Sequence, residues 1–338
     1  MQYPGNRDEP ISSRMKQRGR SRVHVGALVA CCLAFFDFTS LRAETGDQAP
    51  APVRVEEHKI FHGVPVLIVR PKELSPRMRL VVLYHGFGPP ESPQALSRAL
   101  PLEKLQAVLA YVNLPLMAER LPAGGIDELK RVQANDFVNG LFFPSINGAA
   151  TELPMLVREI TTAYHLDSHD GIGLFGFSAG GAAALLALIE SDVPVVAAAI
   201  LNAPLSVSDN VKNWERALKR PFQWNAASRE AASRYDVEHH ADQIASRRPQ
   251  PALLLMSGGA DESFDTQLRN GTIDALRLAY EKMGARPMFE VKVIPDLKHN
   301  FSSEPKSESA LRDSKNDEIE HTVEQWFERF LGGPRKLP

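Results

Sequence analysis

The residues best placed to do chemistry in this chain surround Ser178. It stands in Gly176-Phe177-Ser178-Ala179-Gly180, with Gly181 next. A serine hydroxyl is a weak nucleophile near neutral pH. It needs a base within hydrogen-bond reach and a third group to orient that base. The pattern G-x-S-x-G is weak alone, but here an apolar run, IGLFGF, precedes the serine and AAALLALIE follows it. That order is strand, sharp turn, helix, which lifts the hydroxyl to the end of a sheet. Gly176 and Gly180 leave room for such a turn, since side chains two residues either side of the serine would clash.

The base is expected late in the chain, after the acid. His299 and His321 are the two histidines there. His299 sits in Asp296-Leu297-Lys298-His299-Asn300-Phe301, just beyond a strand-like segment. His321 falls inside an amphipathic helical stretch, off its apolar stripe, and reads as a solvated helix residue. His299 is therefore the expected base. The expected acid is Asp261, in Ser257-Gly258-Gly259-Ala260-Asp261-Glu262, where the apolar run ALLLM ends in a glycine turn. Glu262 is a second candidate. Asp296 is a third, though close in sequence to His299.

Acyl transfer builds negative charge on the carbonyl oxygen, so donors must be aimed where that charge develops. His85-Gly86-Phe87-Gly88 follows the apolar run LVVLY. The backbone N–H groups of Phe87 and Ala179 are the expected oxyanion hole. His85 lies on that side and reads as a residue that stabilises its loop, with Phe87 as a wall of the acyl pocket. The other histidines show no metal spacing, and neither a metal nor a cofactor is expected. No H-E-x-x-H, phosphate-binding or dinucleotide motif is present.

Strands are needed to carry these loops. Val53 to Ile60 and Val64 to Val69 read as an opening β-pair. Leu80 to Tyr84, Val108 to Leu114, Gly171 to Phe177, Val193 to Leu201, Ala252 to Met256 and Met288 to Ile294 follow. Most are continuous apolar runs, as in a sheet covered on both faces. Helical periodicity fills the gaps: Leu153, Leu156, Val157 and Ile160, with Thr151 as the expected N-cap; Ile273 and Leu276, ended by Gly284; and Ile319, Val323 and Phe327. The alternation predicts an α/β fold with a mostly parallel central sheet and helices on both faces. Residues 205–250 are polar and helix-prone between two strands, which suits a small helical lid or cap. The aromatics Phe142, Phe143, Trp214, Phe222 and Trp224 are candidates for pocket or core.

The N-terminus has its own logic. Arg14, Lys16, Arg18, Arg20 and Arg22 precede an apolar stretch from Val23 to Phe36, and Leu41-Arg42-Ala43 ends it. This is the order of a secretory signal over residues 1–43, and the run is short for a membrane span. Met15-Lys16 would itself open such a signal. Export to the periplasm or medium is expected, with no integral span in the mature chain. Leu28-Val29-Ala30-Cys31 is the alternative, a lipobox anchored at Cys31. Residues 44–52 read as a linker, 53–332 as the catalytic domain and 333–338 as a tail.

Cys31 and Cys32 are the only cysteines, so cleavage at Ala43 leaves no thiol nucleophile and no disulfide. Residues 1–43 take seven Lys/Arg and three Asp/Glu with them, moving the formal net charge from −2 to −6. Neither value favours nucleic acid as a partner; the expected partner is a small-molecule ester.

With HGFG at 85–88, GFSAGG at 176–181, GGADE at 258–262 and KHNF at 298–301, the chain resembles the α/β-hydrolase superfamily over residues 53–332. Around the serine it is most similar to the dienelactone-hydrolase-like and prolyl-oligopeptidase-like branches. Dienelactone hydrolases proper carry cysteine where Ser178 stands. Prolyl oligopeptidases carry a large N-terminal propeller, for which this chain has no room. The resemblance implies a serine esterase with the triad Ser178, Asp261 and His299. A peptidase or amidase is the rival within enzymes, and a non-catalytic binding protein on the same fold is the rival outside them.

Overall fold

A computed structural model describes residues 53–167, 171–263, 266–301 and 314–332. The expected signal (1–43), linker (44–52), Cys31 and tail (333–338) lie outside these residues. Among the described residues no helix is long and apolar enough to cross a membrane.

Eight strands make one sheet: β1 (Arg54–Phe61), β2 (Val64–Pro71), β3 (Arg79–Tyr84), β4 (Ala107–Val112), β5 (Ile172–Phe177), β6 (Val195–Leu201), β7 (Ala252–Gly258) and β8 (Phe289–Ile294). Their order is β1-β2-β4-β3-β5-β6-β7-β8. β1 and β2 form an antiparallel hairpin, β2 meets β4 antiparallel, and every pair from β4 to β8 is parallel. The central runs AVLAYV, IGLFGF and VVAAAIL are buried at every position. The edge strand β1 is instead half-buried to exposed along its length, with only Phe61 buried. That difference is the one expected between strands covered on both faces and a strand covered on one.

The helices are α1 (Pro93–Ala99), α2 (Gly125–Asn135), α3 (Phe143–Ala163), α4 (Ala179–Glu190), α5 (Val207–Leu218), α6 (Ala226–Arg234), α7 (Ala241–Ala245), α8 (Thr266–Lys282) and α9 (Ser314–Leu331). Two of them cover opposite faces of β5. A Cβ on Gly173 would meet Phe327 and Leu331 of α9, whereas one on Gly176 would meet Gly180 and Gly181 of α4. Residues three apart on a strand point to opposite faces. α4 is apolar all round and buried from Ala179 to Ile189, as a helix enclosed by sheet and neighbouring helices must be.

The expected N-cap at Thr151 is a correction. α3 begins at Phe143, directly after a π-helical turn at Val138–Phe142, so Thr151 lies in its interior. The apolar stripe extends back through Ile146, Ala149 and Ala150, which are buried, and packing of that stripe overrides the local preference of threonine for a cap.

The topology determines where a site can form. From β3 the chain moves outward to β4, then crosses back to β5 and continues the other way. The order in which strands are added therefore reverses between β3 and β5, which are themselves parallel. Ligands in open α/β sheets bind outside the C-terminal ends of the strands at such a reversal. The loops that leave β3 and β5 carry His85 to Gly88 and Ser178.

Candidate active site

Ser178 follows β5 and begins α4 with φ +52° and ψ −119°. A non-glycine residue there is strained by roughly 1–3 kcal/mol, so the surroundings must hold it. Its N–H donates to Leu201 O at 2.9 Å and its C=O accepts from Ala182 N at 3.1 Å. The neighbouring glycines make the turn possible. A Cβ on Gly176 would stand 2.3 Å from Gly180 O, and one on Gly180 would stand 2.3 Å from His85 O and 2.4 Å from Tyr84 O. These obstacles are backbone and cannot swing aside. Gly180→Ala is therefore expected to destabilise the fold by about 1–3 kcal/mol, as overpacking in a rigid core does. A urea midpoint equal to the wild type's would show that the β3 loop yields.

Three strand-end loops converge on the serine. Ser178 Oγ is 2.9 Å from His299 Nε2, and His299 Nδ1 is 2.9 Å from Asp261 Oδ2. The carboxylate accepts a hydrogen bond from Nδ1–H, which leaves Nε2 free to accept from the serine hydroxyl. Asp261 Oδ1 accepts from Ser263 N at 2.8 Å, so both acid oxygens are engaged. Burial pushes the Asp261 carboxyl up. The His299 hydrogen bond and charge and the Ser263 contacts outweigh burial and hold it below its ordinary value. The imidazole packs against Phe177, ring centroids 5.6 Å apart, and Phe177 in turn meets Phe301 edge-on.

The other candidates lie elsewhere. Glu262 is exposed, and its carbonyl accepts from Arg216 of α5. Asp296 is exposed on the β8 side of the loop, and His321 is exposed on α9. His85 is fully buried. Leu114 N donates to its Nε2 at 3.1 Å, and its Nδ1 lies 2.8 Å from Gly86 O. The proton therefore sits on Nδ1, and His85 ties the β3 loop to the β4 loop.

Burial lowers the His85 pKa to about 4. The unfolded chain then binds a proton, below its ordinary 6.5, that the folded chain refuses. Stability should fall as pH drops from about 6.5 to about 4, and His85→Gln should remove that part of the slope. Urea midpoints over this range test it; parallel slopes in the two proteins would refute it.

Phe87 and Ala179 both line the cavity at Ser178 and His299. Among the described residues, neither of their amides donates to another backbone group. Two N–H groups are thus unpaired on the serine side of the site. The cavity measures about 360 Å³. Phe137, Trp214 and Leu218 give it apolar walls, and Gln133, Asn210, Asn213 and Asn300 add carboxamides. Of the five aromatics considered from sequence, Trp214 lines this cavity. Phe142 and Phe222 are buried in the core, and Phe143 and Trp224 pack against it. A larger cavity of about 1130 Å³ lies at the N-terminal ends of β3 and β4, where no triad residue reaches.

The helices between β6 and β7 supply one wall. Trp214 Nε1 of α5 donates to Gln133 O of α2 at 2.9 Å. Arg216 donates to Glu262 O at 2.8 Å and Ser263 O at 2.6 Å. Arg220 donates to Ala134 O and lies over the Trp214 ring. α5 is thereby tied to α2 on one side and to the acid loop on the other.

Fold and site together define an α/β-hydrolase with the architecture of a serine hydrolase. The chain belongs to the prolyl oligopeptidase family, whose sequence model matches residues 155–333. No curated protein matches it in sequence. Among solved structures it is similar to TT1662 from Thermus thermophilus, with a TM-score of 0.61 at 15% identity, covering 83% of this chain and 100% of that one. It is also similar to a putative dienelactone hydrolase from Klebsiella pneumoniae, with a TM-score of 0.54 at 15% identity, covering 82% of this chain and 99% of that one. The acylaminoacyl peptidase of Pyrococcus horikoshii gives a TM-score of 0.56 at 15% identity; the match covers 86% of this chain but 44% of the peptidase. At these identities the likeness is one of fold.

Proposed function

We propose that this chain is an exported serine hydrolase that cleaves carboxylic esters through an acyl-enzyme. The observation that carries the reading is the continuous line from Ser178 Oγ through the His299 ring to Asp261 Oδ2. His299 Nε2 takes the hydroxyl proton as Oγ attacks the ester carbonyl. The amides of Phe87 and Ala179 receive the oxyanion. His299 then gives the proton to the departing alcohol, leaving Ser178 acylated. Water, deprotonated by His299, attacks the acyl carbon, and the acid leaves as Ser178 regains its proton.

The preference for esters is supported by the cavity's lining. Among the described residues this lining holds no Asp or Glu, the groups that would receive the ammonium of a peptide N-terminus. Among the described residues, the carboxamides of Asn210, Asn213 and Asn300 make no side-chain hydrogen bond with protein, which suits a substrate bearing oxygen donors and acceptors, and Lys130 adds one cationic group to the same lining. The small volume suits a short acyl group or a small alcohol. The family match favours a second reading, a peptidase or amidase.

Hydrolysis of paired esters and anilides with the same acyl group separates the two readings. Faster turnover of every anilide would reject the ester reading. Absence of Ser178 labelling by an organophosphonate would reject both and leave a binding protein. Export is supported by the basic and apolar segments within residues 1–43. N-terminal mass spectrometry of the exported protein separates cleavage after Ala43 from lipidation at Cys31.

A further inference from the structure

We propose that Asn202, at the end of β6, is a positioning residue that sets the distance between the base and the nucleophile. The inference rests on the triad reading above. β6 contributes no triad member, yet its last residues touch the framework of all three. Leu201 O accepts the N–H of Ser178. Asn202 is fully buried, and its own N–H donates to Met256 O of β7 at 3.0 Å. Its Oδ1 accepts from Gly258 N at 2.7 Å, three residues before Asp261. Its Nδ2 donates to Lys298 O at 3.0 Å and to His299 O at 2.8 Å.

One carboxamide thus uses its acceptor on the acid loop and both donors on the base loop. The backbone at Asn202 has φ +47°, a conformation that asparagine tolerates better than most residues with a Cβ. Other ties join the two loops: Gly259 N to Ile294 O and Ala260 N to Leu297 O. Those end at residues 294 and 297. The Asn202 bonds reach the carbonyl of His299 itself, and so fix where its side chain starts. Ser178 is anchored one residue earlier on the same strand end. The imidazole and the hydroxyl are therefore referenced to adjacent residues, Leu201 that ends β6 and Asn202 that follows it.

Asn202→Asp tests this. The new side chain keeps an acceptor for Gly258 N–H and replaces both donors with oxygen facing two carbonyls. Full-length wild type, Asn202→Asp and Ser178→Ala are compared for phosphonylation by a fluorophosphonate and for kcat and KM on p-nitrophenyl acetate. A displacement of about 1 Å at the base costs on the order of 100-fold. Phosphonylation and kcat should fall by about that factor with KM little changed, because the cavity walls are untouched.

A residue needed only for folding would lower the number of active sites titrated by the fluorophosphonate and leave kcat per titrated site unchanged. Wild-type phosphonylation rate and wild-type kcat per titrated site in Asn202→Asp overturn the proposal. If Asn202→Asp fails to fold, Asn202→Gly, which accepts the positive φ, should show the same loss of kcat; unfolding of both variants also overturns it. Wild type labelled no faster than Ser178→Ala is a different failure, that of the nucleophile assignment, and removes this inference with it.

Discussion

Ser178→Ala is expected to lower kcat/KM for any accepted ester by about five to six orders of magnitude, the scale seen when a triad nucleophile is deleted. The expectation follows from the site's geometry. Oγ is the atom that bonds to the acyl carbon, and it stands 2.9 Å from the nitrogen that takes its proton. Among the described residues, no second hydroxyl or thiol lines the cavity to replace it. The fold should survive, because Ser178 is held by its backbone bonds to Leu201 and Ala182 rather than by its side chain. KM should change little, since the walls and the two unpaired amides remain. Steady-state kinetics with a cooperative urea unfolding curve on the same sample make the check. Residual activity within tenfold of wild type would mean that another group attacks the ester.

Asp261→Asn should reduce kcat/KM by roughly 10⁴-fold with the backbone unchanged. The carboxylate accepts a hydrogen bond from His299 Nδ1–H, which keeps Nε2 unprotonated and ready to accept from Ser178. A carboxamide can offer N–H to Nδ1 instead. The ring proton then moves to Nε2, where it blocks transfer from the hydroxyl. Phosphonylation should slow by a similar factor, since it needs the same base. If Asp261→Asn retains full activity and Glu262→Gln loses it, the acid has been assigned to the wrong neighbour.

The same carboxylate predicts a dependence of stability on pH. Asp261 ionises more readily folded than unfolded. Its contribution is complete above the ordinary carboxylate pKa near 4 and is lost as pH falls through the lower folded value. Asp261→Asn should therefore be less stable than wild type at neutral pH, and the gap should narrow in acid. A gap that widens on acidification would contradict the assigned direction.

Much of this protein can be read along the chain. LVVLY, IGLFGF and ALLLM are each continuous apolar runs with a glycine within two residues of their ends, and a strand covered on both faces needs little more than that. The glycines around Ser178 mark the turn before any coordinate is known, because a Cβ at Gly176 or Gly180 has no room. Ser178, Asp261 and His299 could be named from types, order and setting alone. Helix α3 was legible in its second half and not in its first. Its start runs out of a π-helical turn at Val138–Phe142, which has no sequence period of its own.

What the chain itself determined was the set of local elements and the residue types at their ends. Those follow from period, burial and turn chemistry, which act over a few residues. Tertiary structure alone decided which strand ends meet. It selected Asp261 over Glu262 by aiming one carboxylate at Nδ1, neutralised His85 by enclosing it, and gave Asn202 partners up to 97 residues away. A single polar residue after an apolar strand looks the same in sequence whether its hydrogen bonds are made with water or with two distant loops. Only the packing of β6 between β5 and β7 removes the water and supplies the partners.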